Sequence, residues 1–193
     1  LFRSRDPFLS SDGYITYMKV LYILHATIMG GATISFKSMI EGVIKEDVTA
    51  IIVYPRKEYN DTICAFEKKG IKCIPCFITS SVISKNVIIK NILSLSKKII
   101  LKILSFINLL IICHKTKPDI IHTNTGVVHE GFLVSKLLKI PHVWHIREYQ
   151  TLDFNWKILP SKNNFIKELC KSYTIFITKE LQKYFKQDNQ NTS

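Results

Sequence analysis

The chain contains 193 residues, and 27 lysines and arginines against 15 aspartates and glutamates give it a formal net charge of +12. Hydrophobic residues make up 47% and charged residues 22%, which excludes a disordered tail, a collagen-like fibre and a purely charged solubilising segment. A chain of this length can bury a core, and we expect one main domain. Its five cysteines are unevenly spaced and no secretory leader is recognisable, so we expect reduced thiols and a cytoplasmic location.

The two ends of the chain differ from its middle. Residues 1–17 have no sustained periodicity and precede the apolar segment MKVLYILH, which begins at Met18. We interpret residues 1–17 as a non-native or disordered extension, and the polar residues 187–193 as a disordered tail. The folded domain is therefore predicted at residues 18–186.

Within this domain, short apolar runs alternate with longer amphipathic segments, a pattern that predicts βαβ units and a parallel sheet. Strands are predicted at 19–24, 49–54, 71–78, 119–124, 142–147 and 173–178. Helices are predicted at about 31–45, 58–69, 86–113, 127–138, 165–171 and up to about 186, with a loop at 148–164. The predicted fold class is α/β: a single Rossmann-like, doubly wound parallel sheet with helices on both faces.

The predicted helix at 86–113 is very apolar, yet its longest uncharged run, Ile103–Cys113, is shorter than the roughly 20 residues that a membrane-spanning helix needs. Its polar side chains share an arc of about 140° on a helical wheel. Residues 68–118 contain ten lysines and no acidic residue. Two interpretations stay open: a sheet-covering helix with a solvated polar face, or a basic face that rests on anionic lipid. The residues of that membrane-surface face would be Lys90, Lys97, Lys98 and Lys102.

Gly30 and Gly31 lie between the first predicted strand and the first predicted helix, a position where α/β folds bind anions. Without Cβ atoms they let backbone N–H groups approach a phosphate or a sugar hydroxyl, and the helix N-terminus adds favourable partial charge. The pair does not have the G-x-G-x-x-G spacing of dinucleotide-binding proteins, and a plain tight turn is the alternative.

Three histidines, His25, His122 and His145, lie at or just after the carboxyl ends of predicted strands. Ligands of open α/β sheets bind outside these ends, where an imidazole can bond a sugar hydroxyl or act as a base. Each histidine alone also fits a structural role. None has the ligand spacing of a zinc site, so we predict no metal. His129 and Glu130 are further candidates to face this edge.

Cys73 and Cys76 match the C-x-x-C pattern, but both fall in one predicted strand, where residues three apart point to opposite faces. Core cysteines are therefore predicted rather than a redox pair. The sequence contains neither a P-loop nor a G-x-S-x-G motif, which removes the main support for a P-loop NTPase or an α/β-hydrolase.

Four segments, MKVLYILHATIMGGA, KPDIIHTNTG, IPHVWHIREY and YTIFITKELQKYF, occur in this order and together resemble the N-terminal domain of the family 4-like glycosyltransferases of GT-B fold. The resemblance covers roughly residues 18–185, and its most specific parts are the GG loop and the P-H-V-W-H-I-R-E segment. It implies a hexosyltransferase-type enzyme that moves a sugar from a nucleotide-sugar donor to a hydroxyl acceptor, without a cofactor, in cell-envelope polysaccharide or glycolipid synthesis.

The resemblance also implies roles for individual residues. In that family the GG loop approaches the donor phosphate and the acceptor, which implies substrate binding by Gly30 and Gly31. The family's histidine beside the transferred sugar corresponds by motif to His145, the implied catalytic residue. The other residues implied to bind substrate are His122, Asn124, Arg147 and Glu148.

Members of that family carry a second Rossmann-like domain with an E-x7-E motif, and no two glutamates here are eight residues apart. We therefore expect this chain to be the acceptor-side half of an enzyme, to lack the C-terminal donor-binding domain and to be inactive alone. The expected partners are a nucleotide-sugar donor, mainly through that other domain, a glycan or lipid-linked acceptor, and an anionic membrane surface. The expected location is cytoplasmic, peripheral on the inner face of the plasma membrane.

Other classes of function remain open. The domain is alternatively a non-catalytic basic module that binds a membrane surface or a partner. Arg56 and Lys57 after the second predicted strand would suit an NADP-dependent reductase, although the dinucleotide fingerprint is missing. We predict no nucleic-acid partner, because no recognised binding motif accompanies the positive charge.

Overall fold

A computed structural model describes residues 8–9, 15–28, 30–46, 48–84, 92–154 and 156–187 of the chain. The strands are β1 (Phe8–Leu9), β2 (Ile15–Thr16), β3 (Met18–Ile23), β4 (Val48–Pro55), β5 (Lys72–Cys76), β6 (Val82–Ser84), β7 (Ile120–Thr123), β8 (His142–Ile146), β9 (Trp156–Ile158) and β10 (Tyr173–Phe176). The helices are α1 (Gly31–Val43), α2 (Asp61–Lys68), α3 (Ile92–Thr116), α4 (Glu130–Leu138), α5 (Thr151–Phe154), α6 (Lys162–Cys170) and α7 (Lys179–Gln187).

The main sheet has six strands in the order β10-β8-β7-β3-β4-β5, and every neighbouring pair is parallel. All six are the strands predicted from the sequence, so the doubly wound α/β fold is confirmed. The chain order reverses between β3 and β7, the two central strands. In sheets of this kind, a crevice opens at the carboxyl ends of the strands on either side of such a reversal.

Continuous apolar strands form this sheet because both of its faces are covered. Helices α1 and α2 pack on one face, where the core is built around Tyr22, Phe36, Ile40, Ile63 and Phe66. Helices α3, α4, α6 and α7 pack on the other face, where the core is built around Leu109, Phe132, Trp144, Phe165 and Phe185. On the α1 face, the outer strand β10 leaves Ile175 about half exposed, so that part of the sheet opens to solvent.

Helix α3 covers the sheet as predicted, but its orientation corrects the sequence analysis. By length and composition its Ser96–Thr116 portion could cross a membrane, with a mean hydropathy of 1.8. In the folded domain it packs along the sheet with its polar face inward. Lys98 donates to the Val82 carbonyl and Lys102 to the Ser81 hydroxyl, both at 2.5 Å, and Ser105 is buried. The expectation of a solvated polar face is therefore wrong, since these groups satisfy buried polar partners.

The same contacts correct the predicted membrane-surface lysines. Lys98 and Lys102 face the protein, and burial followed by the charge of Lys102 lowers the pKa of Lys98. Lys97 is exposed, and Lys90 lies outside the described residues. Only Lys97 of the described members of that set is directed to solvent.

Two small strand pairs were not predicted. The antiparallel pair β6–β9 places part of the predicted loop 148–164 in regular structure, together with α5. Short strands of two or three residues carry too little periodicity to be recognised. The antiparallel pair β1–β2 lies within residues 1–17, which we had excluded from the fold, so that extension contains local structure. Residues 188–193 of the predicted tail lie outside the described residues.

The cysteine prediction is confirmed. Cys76 is buried in the core beneath α3, whereas Cys73 packs against the core beneath α1 and α2, on the opposite face of the sheet. Burial raises the pKa of both thiols to about 12, so neither forms a thiolate near neutral pH.

Two glycines provide a test of the packing between helix and sheet. A Cβ atom added at Gly131, in the first turn of α4, would lie 2.4 Å from Thr123 Oγ1 and 2.7 Å from Ile23 Cδ1, whereas one added at Gly42 of α1 would meet nothing within 4 Å. We expect Gly131→Ala to lower the free energy of unfolding by about 1–3 kcal/mol. Gly42→Ala should raise it by about 0.5–1 kcal/mol. Urea unfolding measures both, and equal effects would contradict this account.

Candidate functional site

The candidate site lies at the carboxyl ends of β3, β7 and β8, where the strand order reverses. The loop after β3 is held in place by the loop after β4. Thr27 donates its N–H to Glu58 Oε2 and its hydroxyl to the Glu58 carbonyl, each at 2.7 Å. Asn60 caps α2 with its side-chain oxygen and donates its amide to Thr27 Oγ1 at 2.9 Å. These contacts fix the path of the chain leading to α1.

Gly30 and Gly31 lie in the open part of this edge. Gly30 is the N-cap of α1 in an extended conformation, and Gly31 is the first residue of the helix. A Cβ atom at Gly31 would meet no atom within 4 Å, and one at Gly30 only the Ile28 carbonyl oxygen at 4.0 Å. Packing within the domain therefore does not require glycine at either position. α1 has no side-chain cap and no acidic residue in its first turn, so its positive end faces the opening.

Arg147 joins three elements at this edge. Its guanidinium group donates to Ser35 Oγ of α1 at 2.8 Å and to Asn124 Oδ1 after β7 at 3.2 Å. Its third contact is His145 Nδ1 of β8, at 3.3 Å. The side chain is half-buried, so this charge lies within the crevice.

The contact with Arg147 determines the state of His145. A guanidinium group can only donate, so Nδ1 accepts and the ring proton lies on Nε2. Burial, and then the charge of Arg147, lower the pKa of His145 to about 4. Near neutral pH the ring is therefore neutral, and its Nε2–H is a hydrogen-bond donor on a half-buried side chain at the open sheet face.

Two residues predicted to bind substrate are buried instead. His122 is 6% exposed and packs between Tyr22 and His145, with ring centroids 5.1 and 5.7 Å away. Asn124 is 1% exposed, and its oxygen accepts the hydrogen bond from Arg147. Their burial leaves little of either side chain open to direct contact with a substrate. Asn124 holds Arg147, and the His122 ring packs against that of His145.

Glu148 follows Arg147 and lies deeper than the sequence suggested. Its Oε1 atom accepts a hydrogen bond of 2.9 Å from the backbone N–H of Gly126. Burial raises the pKa of Glu148 to about 7, against the opposing effects of the Gly126 N–H and of Arg147. The carboxyl group therefore changes between its protonated and ionised forms near neutral pH, whereas a carboxyl group in water is ionised there.

A Cβ atom at Gly126 would stand 2.3 Å from Gln150 Nε2 and 3.0 Å from Phe165 Cζ, so a larger residue there would have to displace buried side chains. Gln150 is fully buried, and neither atom of its amide group has a hydrogen-bond partner among the described residues. Nothing in the sequence pointed to Ser35, Gly126 or Gln150, because their importance comes from contacts between distant segments. Asn60 could have been recognised as an N-cap residue from its place before α2.

The remaining candidates lie elsewhere or have other partners. His25 follows β3 at the site edge, where burial lowers its pKa. His129 is buried, stacks on Phe165 and lies 2.8 Å from a Glu168 oxygen, so it does not face the edge as expected. Glu130 is also buried, and it accepts a hydrogen bond from Thr79 at 3.1 Å. Arg56, considered for a reductase, lies over the ring of Phe77.

Within the described residues, no three His, Cys, Asp or Glu side chains are grouped so that they could hold a metal ion. A cavity of about 640 Å³ lies at the amino ends of β8 and β10, lined in part by Lys136, Lys139 and Lys171. It is at the opposite edge of the sheet from the candidate site, and we assign it no part there.

No family model and no curated protein matches this sequence. Among solved structures, a protein assigned as a UDP-N-acetylglucosamine 2-epimerase in Listeria monocytogenes is similar over 90% of this chain and 43% of its own, with a TM-score of 0.58 and 14% identity. MurG of Acinetobacter baumannii is similar over 67% of this chain and 35% of its own, with a TM-score of 0.48 and 15% identity. UGT73P12 of Glycyrrhiza uralensis is similar over 91% of this chain and 47% of its own, with a TM-score of 0.48 and 13% identity.

At these identities the likeness concerns the fold. The Listeria structure confirms the Rossmann-like arrangement of a GT-B N-terminal domain that the sequence resemblance implied. This chain spans less than half of the length of each of the three neighbours.

The raised pKa of Glu148 predicts a dependence of stability on pH. Between its ordinary value of 4.5 and about 7, the folded chain keeps a proton that the unfolded chain releases, so stability falls as pH rises through this range. Above about pH 7 the cost is complete, at about 3 kcal/mol. Glu148→Gln keeps an acceptor for the Gly126 N–H but cannot ionise. We therefore expect its free energy of unfolding to rise relative to the wild type between pH 5 and pH 8.

Urea unfolding at unit intervals of pH measures this difference directly. The control is Glu46→Gln in the exposed turn after α1, where the same loss of charge should give a difference that changes little with pH. A Glu148→Gln difference that is flat from pH 5 to pH 8 would show that the carboxyl group ionises normally.

Proposed function

We propose that this domain is the acceptor-side half of a glycosyltransferase that moves a sugar from a nucleotide-sugar donor to a hydroxyl acceptor in cell-envelope polysaccharide or glycolipid synthesis. The observation that supports it best is the arrangement at the reversal of strand order, where the open N-terminus of α1 faces the Arg147–His145 pair. A positive helix end and a guanidinium group suit an anionic ligand. A neutral imidazole donor suits a sugar hydroxyl.

In this proposal the N–H groups at the start of α1 and the charge of Arg147 interact with the phosphates of the donor. As the bond between sugar and phosphate breaks, negative charge grows on the departing phosphate, and donors already fixed in place stabilise that charge. Gly30 and Gly31 let the ligand reach the backbone. This role would account for glycine at two positions where the fold does not require it. Ser35 and Asn124 hold the guanidinium group so that little orientation is lost on binding.

His145 is the proposed catalytic residue, and it acts through its Nε2–H on a hydroxyl of the transferred sugar. Because its Nδ1 accepts from Arg147, the ring is a donor and not a cationic acid at neutral pH. Glu148 is proposed to bind substrate beside it, and its pKa of about 7 lets it act as acceptor or donor of a hydrogen bond. Positioning and electrostatics, rather than a cofactor, would supply the rate enhancement.

Substitution at the GG loop tests the binding role. Gly31→Ala should leave the free energy of unfolding nearly unchanged, because the added Cβ meets no protein atom. It should weaken the binding of uridine, guanosine or thymidine diphosphate sugars about tenfold or more, because the methyl group occupies the approach to the backbone. Amide NMR titration measures both the affinity and the position of the ligand.

The matched control for this titration is Gly42→Ala in the same helix, which should bind as the wild type does. The role of the loop is contradicted if Gly31→Ala and Gly42→Ala bind equally well. It is also contradicted if the shifted amides lie away from the start of α1.

The purified 193-residue chain is expected to transfer no sugar by itself, because the resemblance assigns most of the donor site to a second domain. Incubation with the nucleotide sugars and with hydroxyl acceptors, followed by mass spectrometry, measures transfer. Detectable turnover would overturn the proposed division between donor and acceptor sides. A cytoplasmic location beside the inner face of the plasma membrane belongs to the same proposal.

A further inference from the structure

Helix α3 exposes a row of large aliphatic side chains on its outer side. Six of them are between 45% and 59% exposed. We call this row the α3 ridge, and its members are Ile99, Ile100, Ile103, Leu104, Ile107 and Ile111. At about 100° per residue these positions fall within an arc of about 140° and extend about 18 Å along the helix. Isolated exposed aliphatic residues are ordinary on protein surfaces, but a continuous row on one face marks an interaction site.

The ridge cannot turn inward, because the opposite face of α3 is anchored by polar contacts. Lys98 and Lys102 donate to the segment that leads into β6, and Lys102 also lies 3.5 Å from the buried carboxylate of Glu130. Asn108 accepts a hydrogen bond from the Phe77 N–H at 3.2 Å. Rolling the helix would break these contacts and leave Glu130 without its nearest cation, which is costly for a buried charge. The ridge therefore faces outward as a fixed part of the fold.

Charge at the two ends of the ridge indicates what covers it. Lys97 and Lys115 are both exposed, and they are 18 residues apart, about five helical turns, so they lie along the same line of the helix. Residues 68–118 contain no acidic side chain to balance them. An aliphatic row with lysines at both ends suits an anionic lipid surface: the side chains enter the acyl boundary and the ammonium groups stay at the phosphates.

A second copy of the chain is a poorer occupant. In an antiparallel pair, Lys97 of one copy would meet Lys115 of the other, and in a parallel pair each lysine would meet its own counterpart. Both arrangements bring like charges together at both ends of an apolar contact, without an acidic residue on α3 to offset them.

We propose that the α3 ridge is a membrane-docking surface that lies in the plane of an anionic bilayer, with Lys97 and Lys115 at the level of the headgroups. This surface differs from the basic face expected from the sequence, because the aliphatic side makes the contact and Lys98 and Lys102 serve the fold. It adds to the proposed function and does not depend on it.

The topology connects this surface with the candidate site. Lys102, in the N-terminal half of α3, contacts Glu130 at the start of α4, which follows the carboxyl end of β7. With α3 in the plane of the bilayer, the sheet face that carries α3 is turned toward the membrane, and the carboxyl edge borders the bilayer on that side. If the proposed function holds, an acceptor carried on a lipid would reach the site from that side.

Vesicle binding of the 193-residue chain tests the proposal without any sugar donor. We expect the protein to sediment with vesicles of phosphatidylcholine and phosphatidylglycerol. Ile103→Asn combined with Ile107→Asn should weaken that binding about tenfold or more. Its thermal unfolding temperature should fall only about as far as that of the control variant, because the two pairs of side chains are similarly exposed. The matched control is Ile34→Asn combined with Ile44→Asn, two exposed isoleucines of α1 and its C-cap, which should bind as the wild type does.

Charge and depth are tested separately. Lys97→Gln combined with Lys115→Gln should weaken binding to the anionic vesicles severalfold and reduce its dependence on salt. Ile107→Trp should add a fluorescence component that shifts to the blue with vesicles and is quenched by brominated acyl chains. Equal binding by the ridge variant and the control would overturn the proposal. So would self-association through the ridge, detected by sedimentation velocity, without vesicle binding.

Discussion

The parallel direction of all six main strands is the constraint on which the candidate site depends. Each helix returns the chain to the amino edge of the sheet, so the next parallel strand again ends at the carboxyl edge. The polar loops that follow the strands therefore collect at one edge. The hydrogen bond between Ser35 and Arg147 joins residues 112 positions apart in the chain. The reversal of order between β3 and β7 then leaves room between the loops. A helix N-terminus, a guanidinium group and a neutral imidazole thus face one crevice.

Within that crevice, one cation organises its neighbours. Arg147 is held by Ser35 and Asn124, and in turn fixes which nitrogen of His145 carries the proton. The ring of His122 packs behind the imidazole of His145. It adds no charge near neutral pH, because burial lowers the pKa of His122 to about 3. The pKa of Glu148 is raised instead, because burial removes water from the carboxylate and the Gly126 N–H replaces it only in part. His145 and Glu148, near the end of β8, therefore both have pKa values far from those in water.

The orientation of α3 follows from a competition between two costs. Exposing aliphatic side chains costs roughly 25 cal/mol for each Å² left in water. Leaving the buried Glu130 without a cation, and leaving the polar groups of the preceding segment without donors, costs several kcal/mol for each group. Leu109 and Ile112 are already buried on the inner side of α3, so turning the helix over would exchange one aliphatic side for another. The polar contacts therefore settle the orientation, and the other aliphatic side faces outward. A membrane would remove the remaining cost by covering that side.

The sequence by itself determined the α/β class, the six main strands and the helices between them, because apolar periodicity and glycine positions are local signals. It also placed His145 near the end of a predicted strand by the same pattern, while Arg147 and Glu148 came from the family resemblance. Only the tertiary structure decided that His122 and Asn124 are buried supports, and that α3 turns its lysines inward. Those outcomes depend on partners such as Ser35 and Glu130, which are distant in sequence, and a helical wheel shows which side chains share a face but not which face meets the sheet.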